Sequence, residues 1–241
     1  LGALDIGAVD AFHARHYVPA NSTLVLVGDL NPVSAEASVR RFFADLPEAP
    51  APDRTRAASL PPTPTQGVAQ RWVYTGLVDD PTLYMMWPTV PSGHADEAAL
   101  DVLVEILSSG RGSRLDDALH FGGPRLDLVQ AWTRNQRLAG RVIIRVSDSG
   151  RSLRSFQRGV RRQVRKIQRE APSPDELERA QRRLSAWAIR AGEGIEARAG
   201  LINDCLARRG APDCVPAELA ARGAVTPADV QRVANTWLRD D

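Results

Sequence analysis

Helical spacing opens the chain: Ile6, Val9, Phe12, His13 and Tyr17 fall near one face of a helix predicted over residues 5–17. Pro19 stops it, and Asn21 and Ser22 supply turn chemistry. Thr23–Val27 is then a short apolar, β-branched run, the pattern of a strand buried on both faces. Gly28-Asp29 closes this run. Pro32 opens a second helix to about residue 45, with Ala35, Val39, Phe42 and Phe43 on its apolar side. From Pro47 to Pro64 periodicity vanishes, and Pro, Ala and Thr dominate, which predicts an extended linker.

A period of two appears next. Val68, Gln70, Trp72 and Tyr74 alternate with Ala69, Arg71 and Val73, predicting a strand over 68–75, and Leu83–Pro88 predicts its hairpin partner. Helical periodicity returns from His94 to Leu107. Ser108–Ser113 is a Gly-rich connection, and Ser113 caps a short helix, Arg114–His120. Leu126, Leu128, Gln130 and Trp132 predict a third strand, joined through Leu138-Ala139-Gly140 to a fourth over 141–146.

Beyond Gly150 every pattern is helical. Leu153, Phe156, Val160, Val164 and Ile167 make one apolar stripe, with Arg154, Arg158, Arg161, Arg162, Arg165 and Arg169 around it. Ser173 and Glu176 form a capping box ahead of a long helix to about Ala191, with Pro174 at its first position. Helix resumes after Gly194 to Arg208, a short one surrounds Glu218, and Thr226 caps the last, ending near Trp237.

The fold class that follows is α+β: an antiparallel sheet flanked by helices, preceded by a helix–strand–helix piece. We divide the chain into residues 1–48, a linker at 49–65, and a second α+β domain at 66–241. A lone strand at 23–27 cannot bury itself. The first piece is therefore expected to complete a sheet begun elsewhere, or to pair with another copy, making a homo-oligomer when the chain is expressed alone. Leu1-Gly2-Ala3 is neither a Met start nor a secretory leader, which points to a segment of a longer protein.

Charge narrows the partners. Basic and acidic residues number 31 and 29, giving no reason to expect nucleic acid, and no apolar run approaches the ~20 residues that span a bilayer. Of the basic residues only Lys166 is lysine, a usage that suggests a GC-rich bacterial genome. Cys205 and Cys214 are too few for a disulfide scaffold. They could bridge across Gly210-Ala211-Pro212 in an oxidising compartment, but the plainer expectation is one buried thiol and one thiol in a loop.

The residues name no catalytic centre. Among the histidines only His13 and His16 are close, with no carboxylate between them to act as base, so they are expected to pack and not to bind metal. There is no Gly-x-Ser-x-Gly elbow. Ser108–Arg114 lacks the Gly-Lys-Ser/Thr ending of a phosphate loop and follows a helix instead of a strand. The arginines around 151–169 fit a solvated face.

Taken in order, several stretches resemble the insulinase (pitrilysin) family of zinc metallopeptidases. These are Phe12-x-x-x-His16-Tyr17-x-Pro19-x-Asn21, the run to Gly28-Asp29, Phe42–Pro47, Ile106–Gly110 with Ser113-Arg114-Leu115, and Val225–Val230 with Trp237-Leu238. The resemblance implies that this is the non-catalytic C-terminal region of such a protein, with any His-x-x-Glu-His zinc motif lying before Leu1. No cofactor is then expected in this segment, and zinc would belong to the parent protein. The implied partners are an unfolded peptide or protein substrate and a paired peptidase half or homologous subunit. Substrate contact in related halves uses an Arg at the end of the Ser-Arg-Leu helix and a Tyr in the next strand. Here His120 stands near the Arg position, Arg125 lies across the turn, and no Tyr follows; His120, Arg125 and Trp132 are the candidate substrate-binding residues. The competing reading is an inactive scaffold subunit of the same family. A third and weaker one is nucleic-acid binding through the arginine-rich helix. The compartment is bacterial periplasm or cytoplasm, with periplasm favoured.

Overall fold

The computed structural model describes residues 5–52, 69–76, 80–110, 112–120, 128–147 and 152–239. In the N-terminal piece, α1 (Ile6–His16) starts at Asp5, whose side chain accepts the Ala8 N–H, and α2 (Pro32–Phe43) starts at Asn31, which accepts from Val33 and Ser34. Both helices stand where the periodicity placed them. Residues 22–27 between them belong to no helix or strand, and Leu24 and Leu26 are more than half exposed. The expected burial on both faces is absent. A strand is held by its ladder, and among the described residues none lies beside this one.

The second piece is built on α3 (Glu97–Ser108), apolar on nearly every side and buried from Ala99 to Val104 and again at Ile106 and Leu107. Above it lies a three-stranded antiparallel sheet of β1 (Thr82–Thr89), β2 (Leu128–Thr133) and β3 (Gly140–Ser147), in the order β1-β3-β2. Among the described residues three strands stand where four were expected. Residues 69–75 carry no ladder, and Trp72 is 67 % exposed. The hairpin expected between 68–75 and 83–88 is therefore corrected: β1 pairs instead with β3, Met85 opposite Ile144 and Trp87 opposite Val142. The Val-Ile-Ile run of β3 has apolar side chains on both of its faces, which suits a central strand. The alternating segment at 69–75 finds no such neighbour.

Among the described residues, helices cover only one face of the sheet. α3 lies under β2, while α5 (Leu153–Arg169) and α9 (Pro227–Trp237) lie under β1. The α5 stripe read from the sequence is the buried one: Phe156, Val160, Val164 and Ile167 join Leu100, Leu103, Leu107 and Ile144 in the core. α4 (Arg114–His120) presses Leu119 against α5 where Gly159 leaves room; a Cβ there would stand 2.3 Å from Leu119 Cδ2. α6 (Pro174–Ala191) carries the capping box at Ser173 and Glu176.

α7 (Ile195–Arg209) and α8 (Cys214–Gly223) form an outer pair. Cys205 and Cys214 are joined by a disulfide and both are buried, which corrects the expectation of two separate thiols. Charges fasten the same pair to α3. The Arg209 guanidinium donates to Glu97 Oε2, and Arg222 donates to Asp101 Oδ2 from Nε (3.0 Å) and Nη2 (2.8 Å). Among the described residues no helix is long and apolar enough to cross a membrane.

Candidate functional site

Because side chains alternate across a strand, the register assigns every sheet residue to one of two faces. Leu83, Met85, Trp87, Val142, Ile144, Val146, Val129 and Ala131 face the helices. On the other face, Tyr84, Arg145 and Gln130 form one cross-strand row, and Met86, Ile143 and Trp132 form the next. Among the described residues no helix packs on this second face. Ile143 is nevertheless 7 % exposed and lies outside the main core cluster; its flanking neighbours Met86 and Trp132 shelter it. The result is a small apolar shelf beside a guanidinium, whose Arg145 Cζ stands 5.7 Å from the centre of the Tyr84 ring.

The two sheet edges differ. Arg134 and Arg141 exchange backbone hydrogen bonds (2.8 and 3.2 Å), so alternation turns the N–H and C=O of Val129, Ala131 and Thr133 away from β3. At the middle of that edge the Ala131 N–H donates to Ser108 Oγ at 2.5 Å. Ser108 and Ser109, Gly110 and Arg183 line an open cleft of ≈ 480 Å³ with Val129–Trp132. Gly110 has φ +76°, and a Cβ on it would meet Arg183 Nη1 at 2.5 Å, so the turn needs glycine. Arg183 is held by Glu105 at 2.9 Å. The β2 edge is thus occupied at Ala131 by Ser108. On β1 the outward groups belong to Thr82, Tyr84, Met86 and Pro88, and no described strand pairs with them.

Ser113-Arg114-Leu115 acquires a physical meaning. The Ser113 hydroxyl accepts the Asp116 N–H, Arg114 makes a two-point ion pair with Glu176, and Leu115 is fully buried. The Arg114 guanidinium, reinforced by the Ser173 backbone N–H, holds the Glu176 carboxyl down to about 2 despite its partial burial. Burial instead pushes Asp101 up, although Arg222 and the Thr133 hydroxyl bonded to it oppose the shift.

Of the residues singled out from sequence, Trp132 lies half-buried on the helix-free face. His120 is the last residue of α4; its side chain, and Arg125 entirely, lie outside the described residues. Of the three, only Trp132 is described with its side chain. His13 stacks on Tyr17 (ring centres 4.6 Å apart) and His16 lies against Phe12 (4.4 Å). Among the described residues no group of three His, Cys, Asp or Glu side chains could hold a metal ion. Sequence reading missed Arg145 and Tyr84. The parity of Arg141-Val142-Ile143-Ile144-Arg145 was the available signal, since it sets Arg145 opposite Ile144.

The sequence model for the family described as "Peptidase M16 inactive domain" matches residues 3–184. No curated protein matches the chain in sequence. In structure it is similar to a protease from Helicobacter pylori (TM-score 0.86, 18 % identity, 99 % of this chain and 57 % of that one). It is also similar to a peptidase M16 inactive domain from Pseudomonas fluorescens (TM-score 0.71, 18 % identity, 99 % and 56 %). The periplasmic protease PqqL from Escherichia coli aligns more loosely (TM-score 0.60, 14 % identity, 88 % and 23 %). The chain spans a little over half the length of the first two.

Proposed function

Since the chain belongs to the peptidase M16 family and carries its inactive domain, we propose that it is the non-catalytic part of a zinc metallopeptidase and forms one wall of a chamber that holds unfolded peptide. The observation that carries this reading is the helix-free sheet face bearing Trp132, together with the unpaired β1 edge beside it. An extended peptide needs a flat surface with apolar pockets and an open row of N–H and C=O groups, and this side of the sheet offers both. No nucleophile or metal of its own is required. Zinc would be held in a paired catalytic half.

The domain division at 48 and 66 belongs to the same proposal. Phe12, Leu24, Leu26, Val33, Phe42 and Phe43 are all more than half exposed, as suits a piece whose sheet is completed by other strands. The disulfide and the likeness to a periplasmic protease support a location outside the reducing cytosol.

The test uses the full-length parent enzyme. Trp132→Ala and Arg125→Ala are expected to raise KM for an unfolded peptide several-fold while zinc content and kcat stay near the native values. An unchanged KM for both would overturn the chamber-wall assignment. Absence of stoichiometric zinc from the full-length protein would turn the reading to an inactive assembly subunit.

A further inference from the structure

We infer that Arg145 is a selectivity residue on the helix-free sheet face, and that it favours peptides carrying a carboxylate next to an apolar side chain. This rests on the chamber-wall reading above and specifies its substrate class. Arg145 is half-buried on the central strand, β3. No described carboxylate pairs with it, and its Nε is buried without an acceptor.

Four other half-buried arginines, Arg114, Arg208, Arg209 and Arg222, all have acidic partners. A guanidinium whose Nε is removed from water without an acceptor is poorly satisfied until an anion arrives. The Tyr84 ring stands beside it and orients it without neutralising it. The surrounding face repeats the sign. Its positions are Thr82, Tyr84, Met86 and Pro88 on β1, Arg141, Ile143, Arg145 and Ser147 on β3, and Leu128, Gln130 and Trp132 on β2. None is acidic.

Spacing supplies the second half of the recognition. The Tyr84-Arg145-Gln130 row and the Met86-Ile143-Trp132 row are two residues apart along each strand, about 6.7 Å. That is also the separation of residues i and i+2 in an extended peptide. A Glu over Arg145 therefore brings the residue two positions away over the shelf of Met86, Ile143 and Trp132. Charge complementarity and this match select an extended acidic–apolar peptide as the occupant.

The test is fluorescence anisotropy with the 241-residue chain and a labelled, unstructured peptide having Glu at one position and Phe two residues on. The same peptide with Gln for Glu serves as comparison. The Gln peptide is expected to bind about tenfold more weakly, the effect of one half-buried charged hydrogen bond. Arg145→Gln should weaken only the Glu peptide and remove the difference, whereas Arg145→Lys should retain part of it. Equal affinities for the two peptides on the native chain would overturn the inference while leaving the peptide-facing wall intact. So would an equal loss for both peptides in Arg145→Gln. If neither peptide binds, the wall itself is misassigned and the inference falls with it. A dimer that Arg145→Gln dissociates would also overturn it, by giving the face to a second copy.

Discussion

Arg114 and Glu176, 62 positions apart, meet in a two-point ion pair, Nε to Oε1 at 2.7 Å and Nη2 to Oε2 at 2.9 Å. Glu176 also accepts the Ser173 backbone N–H, so one carboxylate both caps α6 and ties it to α4. Losing either partner leaves a partly buried charge alone. Arg114→Gln is expected to cost about 3 kcal/mol in chemical denaturation, and Glu176→Gln somewhat less because the amide still accepts.

The same pair sets an acid dependence. Held at about 2 against an ordinary 4.5, the Glu176 carboxyl binds its proton more weakly folded than unfolded. Its contribution is complete above the ordinary value and is lost as the pH falls towards about 2. Stability measured from pH 5 downward should decline by about 3 kcal/mol more in the native chain than in Arg114→Gln. Parallel curves would show that the pair carries no such weight.

Ser108 guards the β2 edge. Replacing it with Ala removes the acceptor for the Ala131 N–H and should cost about 1 kcal/mol. The freed edge should also raise the tendency to self-associate, read by light scattering. A variant that is less stable but no more associative would assign Ser108 to packing alone.

Cys205 and Cys214 close a short loop between α7 and α8. Reduction should lower stability by about 2–3 kcal/mol on the chain-entropy estimate. A Cys205→Ala/Cys214→Ala double variant should melt at the temperature of the reduced protein and ignore reductant. The network of Glu97, Asp101, Arg209 and Arg222 should keep α7 and α8 helical after reduction, as circular dichroism can check.

Leu24 and Leu26 stand exposed on a segment that belongs to no helix or strand. The isolated chain should therefore self-associate with rising concentration, and Leu24→Lys/Leu26→Lys should shift it towards monomer in sedimentation. A native chain that stays monomeric throughout would remove this segment as the cause.

Local patterns foretold the local structure. Ser173 with Glu176 and Thr226 with Asp229 became capping boxes, and the spacing of Phe156, Val160, Val164 and Ile167 marked the buried side of α5. These depend on neighbours within a few residues, so they can be read from a string. The resemblance to a peptidase family was legible too, because its stretches kept their order along the chain. The alternation at Trp72 and Tyr74 misled, since it describes a surface suited to pairing and not the presence of a partner.

What the tertiary structure decided is who meets whom across long separations. Only the fold brought Glu176 to Arg114, placed β3 between β1 and β2, and joined Cys205 to Cys214. It also left Arg145 over Tyr84 with no acid beside it among the described residues, a condition invisible in composition because 31 basic and 29 acidic residues balance on paper. Periodicity and capping follow from bonds to near neighbours along the backbone, whereas charge pairing and strand order depend on which surfaces the packed core brings together.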